Sequence, residues 1–137
     1  MIVVDTNVWS ELVKEAPAQV VIDWEAGKSP WLWMSAIVLA EWRAGAALMP
    51  AGRAWEQLTG LIEAVANTYR DCLLVFDERC ALQYGLVLAD ARAAGTPILT
   101  ADAMIAATAR AHGMGVATRD TNDFAGAGVE LIDPWQT

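Results

Sequence analysis

Short apolar runs alternate with longer stretches of helical periodicity along the chain. The runs, rich in β-branched residues, predict five strands at residues 2–4, 31–34, 73–76, 115–118 and 129–132. Because these runs are too continuous for a half-exposed sheet, they predict an α/β domain with a mostly parallel sheet covered on both faces. Helices are predicted between the strands, at residues 7–14, 17–25, 36–48, 53–67, 78–94 and 103–111.

The length and composition indicate one soluble domain. The 137 residues are 55% hydrophobic, which is enough for one sizeable core, and no repeat or flexible linker divides residues 1–137. No apolar run approaches the roughly 18 residues of a membrane span, and no basic leader precedes the first strand. Cys72 and Cys80 form no metal-binding or redox motif, so we expect reduced thiols in a cytoplasmic protein.

The charge balance limits the classes of partner. Nine Lys and Arg against seventeen Asp and Glu give a formal net charge of −8. This balance argues against a protein that holds nucleic acid through a broadly basic surface. It remains compatible with a nuclease whose metal ions reverse the local field, and an acidic surface also suits a basic protein partner.

Four carboxylates are expected near one edge of the predicted sheet. Asp5 follows the first strand and Asp120 follows the fourth, and ligands of open parallel sheets bind beyond the carboxyl ends of the strands. Asp102 lies at the start of the helix before the fourth strand. Glu41 lies within an apolar helical stretch, where a carboxylate either has a partner or faces a site. These four residues are the candidate catalytic and metal-binding set.

Each of the four also has a purely structural interpretation. Asp5 and Asp102 suit helix caps, and Asp120 suits a polar turn. Glu41 suits an exposed helix position or an ion pair with Arg43 or Arg92. Their convergence favours a site, because two like charges about 4 Å apart repel by about 4 kcal/mol at an effective dielectric of 20. A divalent cation that prefers oxygen ligands is the natural counter-charge, and either Mg²⁺ or Mn²⁺ fits this description.

The missing motifs narrow the chemistry further. His112 is the only histidine, and we expect it to end a helix, so catalysis by paired histidines and a Ser-His-Asp triad are both disfavoured. Zinc is disfavoured because no Cys/His ligand set is present. The phosphate-binding loop and the dinucleotide-binding glycine pattern are also missing. A carboxylate-bound metal that hydrolyses phosphodiesters fits the residues that remain.

Four blocks of the sequence form a recognisable series, at residues 3–11, 35–45, 102–109 and 116–120. The first block contains Asp5-Thr6-Asn7, and Asp133-Pro134-Trp135 lies near the C-terminus. These blocks resemble those of the VapC-type toxins of the PIN-domain family, which often have Asn-Pro-Trp at the latter position, with an overall similarity to the FitB branch. The blocks run in family order over nearly the whole chain, so together they are a specific signal.

The resemblance implies both a fold and a function. It implies a three-layer α/β/α sandwich that works as a metal-dependent endoribonuclease, the toxin component of a toxin-antitoxin system. It implies that Asp5 and Asp102 ligate Mg²⁺ and that Glu41 and Asp120 complete the site directly or through water. The implied partners are RNA, a second copy of the chain, and a basic VapB-like antitoxin through which a larger assembly contacts DNA. Asp123 is implied as an outer member of the site, and Thr118 and Asn7 as residues that position groups around it.

Two alternatives stay open at this point. One is a PIN-like binding module that has kept the fold and lost the chemistry. The other is a phosphoryl-transfer domain, although Asn7 stands where a haloacid-dehalogenase type needs a second Asp, and no lysine follows Lys28 for a receiver type. Most of the seven tryptophans are expected in the core, with Trp9, Trp42 and Trp55 as candidates for a partner surface.

Overall fold

A computed structural model describes the whole chain, from Met1 to Thr137, and a five-stranded sheet forms its centre. The strand order is β3-β2-β1-β4-β5, and every neighbouring pair is parallel. The predicted α/β class is confirmed, and the sheet is wholly rather than mostly parallel. The strands are β1 (Ile2–Val4), β2 (Leu32–Ser35), β3 (Leu73–Leu74), β4 (Gly115–Ala117) and β5 (Leu131–Ile132).

Six helices flank the sheet, and side-chain caps begin three of them. Asp5 caps α1, the Ser35 Oγ accepts from the Val38 N–H at 3.0 Å to cap α3, and Asp77 caps α5. Gly95, with a φ of 69°, follows the end of α5, where a left-handed residue suits glycine. The helices are α1 (Thr6–Leu12), α2 (Gln19–Lys28), α3 (Ala36–Ala47), α4 (Arg53–Thr68), α5 (Glu78–Ala93) and α6 (Thr100–Ala111).

Both faces of the sheet are covered. Val3 and Val4 point to opposite faces of β1, and both are fully buried; Val116 and Ala117 repeat this in β4. A strand buried on both faces requires helices on each side, so the three-layer α/β/α arrangement follows from the packing. No helix is both long enough and apolar enough to span a membrane.

The ends of several elements differ from the sequence predictions. The outer strands β3 and β5 are two residues each, shorter than predicted, because each pairs with only one neighbour. Helix α2 begins two residues later than expected, at Gln19. Helix α6 begins at Thr100 with Leu99 at the cap position, so the interpretation of Asp102 as the cap of this helix is wrong.

The order of the strands creates a switch point between β1 and β4. From β1 the chain moves to β2 on one side, whereas from β4 it moves to β5 on the other. Connections that leave two adjacent parallel strands in opposite directions open a crevice at their carboxyl ends. Asp5 and Thr118 are the residues that follow these two strands, so both stand at the crevice.

Candidate active site

An open cavity of about 530 Å³ lies at the carboxyl ends of β1 and β4. Only two of its thirteen lining residues are hydrophobic, so it is shaped for charged or strongly polar ligands. Six carboxylates and two basic side chains line it, and we call it the acidic cavity. The carboxylates are the four candidates Asp5, Glu41, Asp102 and Asp120, together with Asp123 and Glu11.

Asp5 is the most constrained of these carboxylates. One of its oxygens, Oδ1, accepts from the Thr6 N–H at 2.8 Å, and Oδ2 accepts from the Thr118 hydroxyl at 2.8 Å. The side chain therefore caps α1 and faces the acidic cavity at once, so its structural and chemical interpretations are compatible. Burial raises the pKa of Asp5, and the bonds from Thr118 and Thr6 oppose this rise.

Glu41 reaches the acidic cavity from α3. Its Oε1 accepts from the Thr6 hydroxyl at 3.2 Å, so Thr6 contacts both Asp5 and Glu41. Arg43 pairs instead with Glu63 at 3.1 Å, which means that the suggested Glu41–Arg43 ion pair is wrong. Burial is the main cause that raises the pKa of Glu41, followed by repulsion from Asp5.

The buried hydroxyl of Thr118 connects the carboxylates on β1 and β4. It donates to Asp5, and it accepts from the Asp120 N–H at 3.1 Å and from the Asn7 amide at 3.2 Å. The same amide nitrogen of Asn7 donates to Asp120 Oδ2 at 3.1 Å. One buried threonine thus fixes the backbone before Asp120 and the orientation of the Asp5 carboxylate, which agrees with the positioning role expected for Thr118 and Asn7.

Asp102 lies in the first turn of α6 rather than at its cap. A carboxylate is favourable there, because the unpaired N–H groups at a helix start carry partial positive charge. Burial nevertheless raises the pKa of Asp102 to about 6, and repulsion by Asp5 and Glu41 adds to the effect. Asp123 and Asp120 contribute smaller shifts in the same direction. Asp102 therefore takes up a proton in mildly acidic solution, and a cation would relieve the same burial and repulsion near neutral pH.

The donor set fits a hard divalent cation that keeps much of its water. The acidic cavity offers carboxylate, hydroxyl and amide oxygens and neither histidine nor cysteine. No group of three or more His, Cys, Asp or Glu side chains is arranged so that it could hold an ion by itself. Mg²⁺ is commonly bound through one or two carboxylates with water in the remaining positions, so this spacing is compatible with it.

The sequence also matches known proteins over nearly its whole length. The family described as PIN domain matches residues 2–129. The chain belongs to the PIN-domain family. Within this family it is 44% identical to "VapC ribonuclease Y4jK" of Sinorhizobium fredii, with 99% of both chains covered. It is 37% identical to "Toxin FitB" of Neisseria gonorrhoeae, with 98% of this chain and 99% of the relative covered.

The fold of this PIN-domain protein agrees with a solved relative. The crystal structure of FitAcB from Neisseria gonorrhoeae superposes with a TM-score of 0.92 at 37% identity, and each chain is covered completely. The resemblance to the FitB branch drawn from the four sequence blocks is thereby confirmed.

The acidic cavity contains residues that the sequence did not single out. Ser10, Glu11 and Lys14 also line it. Their spacing from Asn7 is helical, so the periodicity of α1 was the signal that would have found them. Arg119 lines it as well, from the loop after β4, and so does Trp135, from a short C-terminal 3-10 helix at Pro134–Gln136. No local pattern brings these two together, because only the finished fold places the chain end beside β4.

The tryptophans separate into buried and exposed groups. Trp9 and Trp42 are only 2% and 4% exposed, so the expectation that they line a partner surface is wrong. The Trp9 indole N–H donates to the Val4 carbonyl at 3.1 Å, which holds α1 against β1. Trp55 is 36% exposed and remains available as a surface residue. An apolar segment alone does not tell which of its side chains face inward.

Proposed function

We propose that this PIN-domain protein is a metal-dependent endoribonuclease and the toxin component of a VapBC-type toxin-antitoxin system, with residues 1–137 as one functional domain. The observation that carries the proposal is the meeting of Asp5, Glu41, Asp102 and Asp120 at one acidic cavity on the carboxyl edge of the sheet. The names of two relatives, a VapC ribonuclease and a toxin, support the same activity.

Asp5 and Asp102 would hold Mg²⁺, with Mn²⁺ as a substitute, and Glu41 and Asp120 would bind it directly or through water. Such an ion, when bound, supplies an activated water and stabilises the charge that develops on a phosphodiester. In-line attack by water on the phosphorus would break its bond to the 3′ oxygen and leave a 5′-phosphate and a 3′-hydroxyl. The bonds from Thr6 and Thr118 support this assignment, because they fix both oxygens of Asp5 before any ligand arrives.

The protonation of Asp102 links metal uptake to pH. Its pKa of about 6 means that the carboxyl holds a proton in mildly acidic solution when no cation is present. A cation must displace this proton, so affinity for Mg²⁺ falls as the pH drops below about 6. The chain itself thus tunes one carboxyl to exchange a proton for a metal ion.

The proposed activity is tested with protein that has been separated from any antitoxin. We expect cleavage of cellular RNA with Mg²⁺ or Mn²⁺, none with a chelator, and a loss of at least about a hundredfold in Asp5→Ala. Asp71→Ala, which removes an exposed carboxylate away from the acidic cavity, serves as the control and keeps full activity. Full activity with the chelator would contradict the metal, whereas full activity of Asp5→Ala would contradict the site.

The proposal extends to a basic VapB-like antitoxin whose C-terminal segment enters the acidic cavity. Six carboxylates at one opening support it, because an arginine side chain pairs with carboxylates in a bidentate manner and can take the place of a cation. We expect replacement of the antitoxin's C-terminal arginines, or of Asp5, to change the affinity of the complex by more than about tenfold. Binding that is insensitive to both changes would contradict this arrangement. Homodimerisation, DNA contact through the antitoxin and a cytoplasmic location stay predictions.

A further inference from the structure

Arg119 and Trp135 form a contact at the opening of the acidic cavity that the proposed chemistry does not use. The Arg119 guanidinium lies over the indole ring of Trp135, with 5.0 Å between its carbon and the ring centroid. We propose that Arg119, held by Trp135, binds a phosphate of the RNA next to the one that is cleaved. This inference rests on the proposed ribonuclease function.

The electrostatics of the acidic cavity create the need for such a residue. Six carboxylates repel an RNA strand, and a metal ion bound among them compensates this repulsion only near the scissile phosphate. The neighbouring phosphates still approach a negatively charged wall, and charges within about 8 Å are only partly screened at physiological salt. A basic side chain at the opening removes this barrier.

Only two basic residues line the acidic cavity, and one of them is already committed. The Lys14 ammonium contacts Glu11 Oε2 at 2.5 Å, and the other oxygen of Glu11 accepts from the Ala18 N–H at 2.8 Å. Lys14 therefore stabilises the connection between α1 and α2. Arg119 forms no ion pair with any carboxylate, so its charge is available to a ligand.

The position of Arg119 is fixed at both ends of the residue. Its backbone N–H donates to Asn7 Oδ1 at 3.3 Å, and the next N–H, that of Asp120, donates to the Thr118 hydroxyl. At the far end, the guanidinium lies over the ring of Trp135, whose backbone N–H donates to Asp133 Oδ1 at 2.9 Å. Stacking on an indole leaves the N–H edge of a guanidinium open, and that edge matches the oxygens of a phosphate.

Binding measurements separate a phosphate contact from a structural contact. We would follow the fluorescence anisotropy of a short labelled single-stranded RNA of mixed sequence, with Ca²⁺ in place of Mg²⁺ to suppress cleavage, over a range of KCl concentrations. We expect Arg119→Gln to weaken binding roughly tenfold. Because one phosphate contact is lost, the slope of log affinity against log salt should fall by about 0.7. Arg119→Lys keeps the charge and should therefore keep the slope, with a smaller loss of affinity.

Three further variants test the role of the Trp135 ring and the effect of charge alone. Trp135→Leu keeps Arg119 but removes the ring, so we expect weaker binding with an unchanged salt slope, and Trp135→Phe should restore most of the affinity. Arg92→Gln removes the same charge from an exposed helix position outside the acidic cavity and should leave binding unchanged. In cleavage with Mg²⁺, Arg119→Gln should raise KM more than it lowers kcat.

The outcomes distinguish this inference from the function on which it rests. If Arg119→Gln binds RNA with wild-type affinity and salt slope while wild-type protein cleaves RNA, the phosphate contact is refuted and the ribonuclease stands. If Arg92→Gln lost as much affinity for RNA as Arg119→Gln, the phosphate contact would also be refuted, because the loss would then follow from net charge. Wild-type protein that neither binds nor cleaves RNA would overturn both.

Discussion

Helix α1 separates two clefts of opposite character. On one side lies the acidic cavity, which Asn7, Ser10 and Lys14 line from this helix and its end. On the other side lies a cleft of about 430 Å³ in which seven of ten lining residues are hydrophobic. We call it the apolar cleft. It is lined by Trp9, Leu12, Val13, Pro17, Ile22, Glu25, Ala64, Val65, Thr68 and Tyr69.

The two clefts differ in whether the burial of their side chains opposes folding. In the acidic cavity, burial raises the pKa of Asp5, Glu41 and Asp102, so the folded protein holds these charges against their electrostatic preference. In the apolar cleft, side chains such as Trp9 pack without such a conflict. We therefore expect changes in the acidic cavity to act first on cleavage, and changes in the apolar cleft to act first on stability.

The largest effect of the following changes is expected at Thr118, the buried hydroxyl of the acidic cavity. Thr118→Val keeps the shape but removes the donor to Asp5 and the acceptor for the Asp120 N–H. We expect RNA cleavage and Mg²⁺ affinity to fall about tenfold to a hundredfold, because residues that orient metal ligands have effects of this size. Cleavage rates over a magnesium titration measure both quantities.

Thr108 offers a matched control for this change. It is also fully buried, but its hydroxyl donates to the Met104 carbonyl within α6, away from the acidic cavity. Thr108→Val and Thr118→Val should change the free energy of unfolding by similar small amounts, about 1 kcal/mol. Only Thr118→Val should impair cleavage. Equal losses of cleavage in the two variants would mean that stability, not orientation of Asp5, is what Thr118 provides.

Those residues of the acidic cavity that follow a strand or lie at a marked helix position could be predicted from the sequence. Asp5 and Asp120 follow strands β1 and β4, so the pattern of apolar runs was enough to bring them to one edge. Glu41 was singled out because a carboxylate within an apolar helical stretch either has a partner or faces a site. Which of these residues ligate a metal stays a prediction, because ligand geometry depends on the ion and its waters.

What the sequence could not predict depends on contacts between distant segments. The cap of α6 was misplaced because the cap position holds Leu99, whose side chain forms no capping hydrogen bond, so no capping residue marks the start of this helix. The contact between Arg119 and Trp135 exists only because the C-terminal turn packs beside the end of β4. Trp42 was assigned to a surface, although the fold buries it, because the hydrophobic pattern of α3 does not state which stripe meets the core.

A smaller effect, on stability, is expected from the burial of the carboxylates in the acidic cavity and from the repulsion between them. The pKa of Asp102 is about 6 in the folded protein, against 3.8 for the ordinary side chain. Between these values the folded protein binds more protons than the unfolded chain, so lowering the pH from about 7 to about 5 stabilises the metal-free protein. The raised pKa values of Asp5 and Glu41 act in the same direction.

Asp102→Asn tests the origin of this pH dependence. We expect the variant to be more stable than wild type by about 1 kcal/mol near neutral pH without metal, after allowance for solvent screening. The gain should shrink as the pH approaches 5, and saturating Mg²⁺ should abolish it. Urea unfolding at several pH values measures these changes, with Asp71→Asn as the exposed control. If the metal-free wild-type protein loses stability from pH 7 to pH 5, the raised pKa values of these carboxyl groups are contradicted.

The smallest effect is expected in the apolar cleft, at Tyr69. Its ring packs edge-on against Trp9 with centroids 4.7 Å apart, and its hydroxyl donates to Glu25 at 3.2 Å. Burial and the neighbouring Glu25 raise the pKa of Tyr69 to about 12, so stability should fall as the pH rises above about 10. Tyr69→Phe keeps the ring and should lower the free energy of unfolding by about 0.5–1 kcal/mol. It should also remove the tyrosinate absorbance change near pH 12 and leave RNA cleavage unchanged. A large loss of cleavage in this variant would show that α1 couples the two clefts. The clefts would then differ in composition but not in their effect on cleavage.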